Sequence, residues 1–156
     1  LMSVLREACQ RISVLPYTSS LQPGLTFEQI EEITASLPFR LSVEVYELYQ
    51  WRNGIKEHEP GFLFSGFGRF LPLNEAVAAY KDLYTRFSKF NENWFPIISM
   101  EESVYVVVGA EQQQKTSLVI DWNPEDEEMY VKHETLTDML IAEAQVFEEW
   151  VERYRS

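Results

Sequence analysis

Few side chains in this sequence have the chemistry of a nucleophile or a general base. It has one cysteine, Cys9, and two histidines, His58 and His133, and it contains no Gly-x-Ser-x-Gly elbow. Nucleophilic catalysis requires a base within hydrogen-bonding distance of the nucleophile. Cys9 falls on the apolar face of a predicted helix, which favours a buried structural thiol, and both histidines are flanked by charged residues typical of solvated loops. We therefore expect no catalytic residues and no enzymatic activity, with a small-molecule enzyme as a remaining alternative.

Metal ligands at suitable spacing are equally scarce. His58 lies between Glu57 and Glu59, and His133 precedes Glu134, but neighbouring residues in a chain seldom point at one site. The acidic run at 125–128 lacks the alternating ligands and the central glycine of a calcium-binding loop. The sequence therefore predicts no metal site.

Gly66-Phe67-Gly68 is half of a nucleotide-binding pattern. A phosphate-binding loop of that type needs a third glycine and a helix N-terminus immediately after it. Arg69-Phe70 follows instead, so the favoured interpretation is a tight hairpin turn. We expect no cofactor.

The best candidate for a functional site is a run of four acids that follows a tryptophan-containing strand. Tryptophan is enriched among the residues that dominate protein–protein binding energy, and acids around it would steer a basic partner. The predicted partner-binding residues are Glu101, Glu102, Asp121, Trp122, Glu125, Asp126, Glu127 and Glu128. Two alternatives remain. Acids at a hairpin tip are well hydrated without any partner, and Trp122 shares its strand parity with Leu118 and Ile120, which favours the core.

The distribution of charge supports an acidic interaction surface. The chain has 25 acidic and 13 basic side chains, for a formal net charge of −12. Residues 101–156 contain 14 acids and 4 bases, a net of −10, whereas residues 1–100 contain 11 acids and 9 bases, a net of −2. A field of this sign repels phosphate backbones and attracts basic protein surfaces, so we expect a protein partner and no nucleic acid. The alternative is that the acidity only keeps the domain in solution.

The elements that position these residues follow from apolar periodicity, capping residues and breakers. The predicted helices lie within residues 1–23, from Thr26 to Pro38, from Ser42 to Asn53-Gly54, from Asn74 to about Phe90, and from near Thr137 almost to the end. Thr26 and Gln29 have the spacing of a capping box. Gly54 is expected at positive φ, where glycine relieves the strain of a left-handed residue.

The predicted strands do not alternate with the helices as βαβ units. Short strands are expected within residues 61–73, then at 94–98, 104–108 and 117–122, with 129–132 returning as a hairpin partner across a turn at 123–126. This order favours one α+β domain over residues 1–156, with an antiparallel or mixed sheet and helices on one side of it. The predicted core includes Leu37, Val45, Leu48, Tyr80, Phe87, Phe147 and Val151.

The chain has the features of a cytoplasmic protein. A single cysteine cannot form an internal disulfide and is typical of a reducing compartment. The longest clean apolar run, Val104 to Ala110, is far shorter than the roughly 20 residues of a membrane span. The N-terminal segment lacks the apolar stretch of a signal peptide.

Four segments have a recognisable pattern: TFEQIEEITASLPFRLSVEVYELYQWRNG at 26–54, Phe70-Leu71-Pro72-Leu73, Trp94-Phe95-Pro96-Ile97, and the strand pair and final helix at 117–150. The first contains a short helix, a Leu-Pro pair, a second helix and a terminal Asn-Gly. In these segments the chain resembles the SUKH superfamily, which includes a fungal cell-wall-assembly regulator and many bacterial immunity proteins. The chain departs from the family at 99–103, where Ser-Met-Glu-Glu-Ser replaces a turn that contains Gly and Asp.

The resemblance implies a mixed α+β fold and a non-catalytic role in binding another protein. It leaves two kinds of partner open. One is a basic toxin that the protein would bind and neutralise, and the other is an intracellular signalling or cell-wall-assembly complex in which the protein would be a regulatory scaffold.

Overall fold

The computed structural model describes residues 2–16, 18–57, 64 and 68–155, and its helices and strands follow the predicted order. The helices are α1 (Val4–Ser13), α2 (Phe27–Ile33), α3 (Val43–Trp51), α4 (Leu73–Arg86) and α5 (Leu136–Arg155). The strands are β1 (Arg69–Phe70), β2 (Trp94–Ser99), β3 (Val104–Val108), β4 (Val119–Trp122) and β5 (Met129–His133). No helix in the described ranges is long and apolar enough to cross a membrane.

The strands form one antiparallel sheet in the order β1-β2-β3-β4-β5. This confirms the α+β class. Of the two predicted sheet types, antiparallel and mixed, the sheet is antiparallel. Five consecutive β2 residues, Trp94–Ile98, are buried. Because successive side chains of a strand point to opposite faces, both faces of β2 are covered. α4 is one of the elements that pack against β2.

The N-terminal helix α1 packs against α3 and α5. Its buried residues include Leu5, Cys9 and Ile12. Arg11 forms an ion pair with Glu148 of α5, and the indole Nε1 of Trp51 in α3 donates to Ser13 Oγ at 2.7 Å. These contacts join the first and last helices of the chain to one core.

The capping predictions are confirmed at two helices and wrong at a third. Thr26 and Gln29 form the capping box of α2, and Ser42 Oγ accepts from Val45 N at the start of α3. Asn74 does not cap α4, because the helix already begins at Leu73, one residue after Pro72. Asn53 Oδ1 accepts from Leu73 N at 2.8 Å instead, so the cap comes from the loop after α3.

Gly54 has the predicted positive φ, at +65°. The helix before it ends earlier than expected, at Trp51, with Arg52 already extended. A Cβ on Gly54 would lie 2.5 Å from the carbonyl carbon of Leu71 and 2.4 Å from the nitrogen of Pro72. Glycine is therefore required here both for the dihedral angle and for a close approach of two backbone segments.

The predicted core is only partly correct. Val45, Leu48 and Tyr80 are buried, whereas Leu37, Phe87, Phe147 and Val151 are half-buried. On α5 the buried residues Leu136, Met139, Leu140 and Ala144 all lie in the first half of the helix. The apolar stripe continues to Tyr154, but nothing in the described structure covers its far end, since Tyr154 is 68% exposed.

Candidate protein-binding surface

The acidic run forms the tip of the β4–β5 hairpin. Asn123 N donates to Glu128 O at 3.0 Å and closes the loop. Side chains within the loop hold its shape: Asn123 Oδ1 accepts from Glu125 N, and Asp126 Oδ1 accepts from Glu128 N, each at 2.9 Å. Glu127 has a positive φ of 56°. The four acids therefore lie on an ordered turn. Binding a partner would cost little conformational entropy in this loop, because the loop is already held in shape.

Four of the predicted carboxylates line one cleft of about 260 Å³. We define the acidic cleft by Glu102, Asp121, Asp126 and Glu128, together with Tyr130. Ser103 and Asn123 complete its described lining, and none of these lining residues is basic. Tyr130 donates its hydroxyl hydrogen to Glu128, and this hydrogen bond to the carboxylate raises the pKa of Tyr130. The cleft therefore concentrates negative charge that no described lining residue neutralises.

Asp121 has an unusual environment within the acidic cleft. It lies on β4 opposite Tyr130 of β5 and Tyr105 of β3. Its Oδ1 is shielded from solvent and has no hydrogen-bond partner among the described residues. A shielded polar atom without a partner carries a free-energy cost. A cationic donor that enters the cleft would remove that cost.

The remaining predicted site residues lie elsewhere. Glu101 joins Glu102 in a neighbouring groove of about 390 Å³ beside α4. Glu127 forms an ion pair with Lys89 at 3.6 Å, and Glu125 is exposed at the hairpin tip. The predicted site is thus one cleft with two flanking acids and one neutralised acid.

Trp122 does not belong to the binding surface. Its side chain is 1% exposed and packs edge-to-face against Phe87 and Phe90, with Trp94 at 6.1 Å between ring centroids. The prediction that Trp122 contacts a partner is wrong, and the alternative placement in the core is correct. The cause is that Trp122 faces away from Asp121, its neighbour on β4, because alternate residues point to opposite faces of a sheet.

Sequence reasoning missed three exposed residues on β5. Met129, Tyr130 and Val131 are 46%, 60% and 55% exposed on the edge strand beside the acidic cleft. The signal was present in the sequence, because three consecutive apolar residues in the last strand of a meander include at least one that cannot face the core. Exposed apolar side chains next to charged residues are typical of interaction surfaces.

Sequence reasoning also missed Glu44, a buried carboxylate on α3. Its oxygens accept from the backbone nitrogens of Ser117, Leu136 and Thr137, and from the Thr137 hydroxyl. These bonds fix the segment that enters β4 and cap the N-terminus of α5 from another part of the chain. Glu44 therefore holds in place both ends of the region that contains the β4–β5 hairpin.

Cys9 and His133 are the described side chains with nucleophilic or basic chemistry, and the fold encloses both of them at least in part. Cys9 is fully buried as predicted, and burial raises the pKa of its thiol to about 12. His133 ends β5 and is half-buried, and burial lowers its pKa. The expectation of a solvated loop for His133 is therefore wrong, and His58 lies outside the described residues. Within the described ranges, no three His, Cys, Asp or Glu residues are grouped to hold a metal ion.

The glycine-rich segment before β1 is described only in part. Gly66 and Phe67 lie outside the described residues, while Gly68 exchanges two backbone hydrogen bonds with Phe64, at 2.7 and 2.8 Å. This is the pairing of a tight hairpin, which was the favoured interpretation of the segment.

A five-stranded antiparallel meander packed against helices, with an acidic hairpin tip, defines an α+β domain of the SUKH type. The SMI1 / KNR4 family model (SUKH-1) matches residues 24–142, and the chain belongs to this family. A comparison with curated proteins finds no match. The matched segment contains the whole acidic cleft and β5, whereas α1 precedes it.

Proposed function

We propose that this chain is a non-catalytic domain that binds a positively charged segment of another protein at its acidic cleft. The observation that carries the proposal is the grouping of four carboxylates with no basic residue in the described lining. Carboxylates held close together repel one another, and a cation between them relieves the repulsion. Membership of the SMI1 / KNR4 family supports a role of this kind, because that family includes immunity proteins and cell-wall regulators.

The favoured form of this function is immunity, in which the protein covers a basic toxin and neutralises it. Residues 101–156 carry a net charge of −10. This supports the immunity form, because a toxin that acts on a phosphate backbone presents a cationic surface, which the acidic region would attract. A regulatory scaffold in intracellular signalling or cell-wall assembly is the alternative. A toxin gene next to this one in the genome of origin would favour immunity over the scaffold.

The test compares two variants that lose the same charge in different places. The cleft variant is Asp121→Asn, Asp126→Asn and Glu128→Gln, which removes three charges while keeping the side-chain oxygens that accept hydrogen bonds. The control variant is Glu111→Gln, Glu149→Gln and Glu152→Gln, three exposed residues outside the cleft. Each protein is used to capture partners from a lysate of the native host.

A basic protein captured by the wild type and the control variant, and lost from the cleft variant, is the expected result. Equal capture by all three proteins would show that the acidic cleft is not the binding site. The proposal would also be wrong if the captured partner were a nucleic acid or if capture required enzymatic turnover of a small molecule.

A further inference from the structure

The outer edge of β5 is a second part of the same surface. β5 is the last strand of the sheet, and no described residue forms a backbone hydrogen bond to its outer side. Its residues Met129–Lys132 are exposed. An unpaired strand edge is a template for an added strand unless the protein blocks it.

The hydrogen-bonding pattern of the hairpin identifies which backbone groups are free. Asn123 N donates to Glu128 O, so the pair Asn123–Glu128 is hydrogen-bonded, and the pair Asp121–Tyr130 two residues along is as well. Pairs in an antiparallel ladder alternate, so Met129 and Val131 point their N–H and C=O groups away from β4. These two residues offer two donors and two acceptors to an incoming strand.

The side chains around this edge differ on the two faces of the sheet. Tyr130 pairs with Asp121 and shares the face of the acidic cleft, whereas Met129 pairs with Trp122 and shares the opposite face with Val131. In a sheet, residues directly opposite each other point to the same face. An added strand would therefore place alternate side chains at the carboxylates and at the two exposed apolar residues.

We infer that β5 binds its partner by strand addition, and that the partner segment is an extended one that alternates basic and apolar residues. The basic side chains lie opposite Tyr130 and Glu128 and reach the acidic cleft. The apolar side chains lie opposite Met129 and Val131. This inference rests on the proposed function and deepens it, since it names the conformation and sequence pattern of the bound segment.

The charges around the edge select this occupant over a second copy of the chain. Each copy carries a net charge of −12, and a second β5 would bring another acidic tip to the same edge. Lys132 and the register shift between Val119 and Ile120 lie towards the far end of β5. Lysine and bulges block strand edges, so the end next to the acidic tip is the one left open.

The test uses synthetic peptides with the full chain. The first peptide alternates arginine and valine over seven residues, the second has the same composition in two blocks, and the third is the alternating peptide methylated at the backbone nitrogens that would face Met129 and Val131. The alternating peptide should bind at least about tenfold more tightly than either of the others, because they lose the pattern or the backbone hydrogen bonds. Its binding should slow hydrogen exchange at the amides of Met129 and Val131.

A protein variant provides an independent arm. Val131→Pro removes one outward-facing N–H, the donor to a peptide carbonyl, and leaves the inner ladder with β4, so it should weaken binding of the alternating peptide relative to the wild type. Thermal unfolding checks that this variant is folded. The methylated peptide tests the complementary bonds, from the peptide N–H groups to the carbonyls of Met129 and Val131, without any change to the protein.

Two results would overturn the inference. If all three peptides bind equally, with affinity that falls in the cleft variant, the acidic cleft binds basic segments but β5 does not add a strand, and the proposed function stands. If the chain alone is a dimer whose Met129 and Val131 amides are protected, a second copy occupies the edge. Binding that is unchanged in the cleft variant would contradict the proposed function itself.

Discussion

At the residue scale, the carboxylate of Glu44 joins α3 to two segments that come much later in the chain. It is 5% exposed and accepts hydrogen bonds from three backbone nitrogens and one hydroxyl, which lie in the segment before β4 and in the first turn of α5. The sequence could not predict this, because the partners lie more than seventy positions away and a glutamate in the first turn of a helix is ordinarily exposed. Thr135 Oγ1 caps α5 locally by accepting from Asp138 N at 3.0 Å, and Glu44 accepts from the two nitrogens before it, those of Leu136 and Thr137.

Replacing Glu44 by Gln should destabilise the fold by about 2–4 kcal/mol. Hydrogen bonds to a charged acceptor contribute about 1.5–3 kcal/mol each, and the amide nitrogen of Gln would face donors that it cannot accept from. Urea denaturation measures the change in the free energy of unfolding. Glu28→Gln, at an exposed position in the first turn of α2, is the matched control and should change it by less than about 0.5 kcal/mol. Equal effects of the two substitutions would contradict the role of Glu44.

His133 gives a prediction for pH. Burial is the main cause that lowers its pKa from the ordinary 6.5, with Lys132 acting in the same direction and Glu143 and Asp138 opposing it. Since the folded pKa is below the unfolded one, protonation favours the unfolded chain. His133 therefore costs no stability above the unfolded pKa, and the cost grows as the pH falls below it until the folded pKa is passed.

The measurement for His133 is a comparison of the wild type with His133→Asn. The difference in the free energy of unfolding between them should be constant above about pH 7 and should shift in favour of the variant towards about pH 5. A difference that does not vary with pH over this range would mean that His133 has the same pKa in both states.

At the element scale, periodicity predicted which face of each helix is apolar but not how much of that face is covered. The stripe on α5 was correctly placed at Leu140 and Ala144, yet Phe147 and Val151 are only half-buried. The spacing of apolar residues depends on one helix alone, whereas coverage depends on the length of its neighbours. α5 has 20 residues and packs against α1, which has 10.

Two substitutions on α5 test this division of the helix. Leu140→Ala should cost about 2–5 kcal/mol, as the truncation of a fully buried leucine does. Phe147→Ala should cost about 1–2 kcal/mol, because a half-buried side chain loses less apolar area and leaves no enclosed cavity. Chemical denaturation of both variants gives the comparison. A larger cost for Phe147 would show that the second half of α5 is covered after all.

At the scale of the whole molecule, the meander explains how the acidic cleft is assembled. Alternate turns of an antiparallel meander lie at the same end of the sheet, so the β2–β3 turn with Glu102 meets the β4–β5 hairpin with Asp126. The charge imbalance and the hairpin were predictable from the sequence alone. Which acids converge was not, because Glu101 and Glu127 are adjacent in sequence to cleft residues and yet contact other groups.

Edge placement is the other feature that only the whole sheet determines. The segment at 129–132 was predicted as a hairpin strand, but whether a strand is central or terminal depends on what pairs with its second side. The structure places β5 at the edge, and this leaves Met129 and Val131 exposed beside the acidic cleft. Trp122 is the residue type most enriched in binding sites, but it is enclosed because it points from the central strand β4 to the face opposite the acidic cleft.

The central claim is that the acidic cleft attracts and binds a basic partner, and association kinetics test it most directly. Stopped-flow mixing with the captured partner measures the association rate of the wild type, the cleft variant and the control variant at about 0.05 M and 0.5 M salt. Exposed charges are weakly screened at the lower concentration and strongly screened at the higher one. At low salt the cleft variant should associate about tenfold more slowly than the control variant, and the difference should shrink at high salt. Association that is independent of salt and equal in the two variants would contradict the account and leave solubility as the role of the acidity.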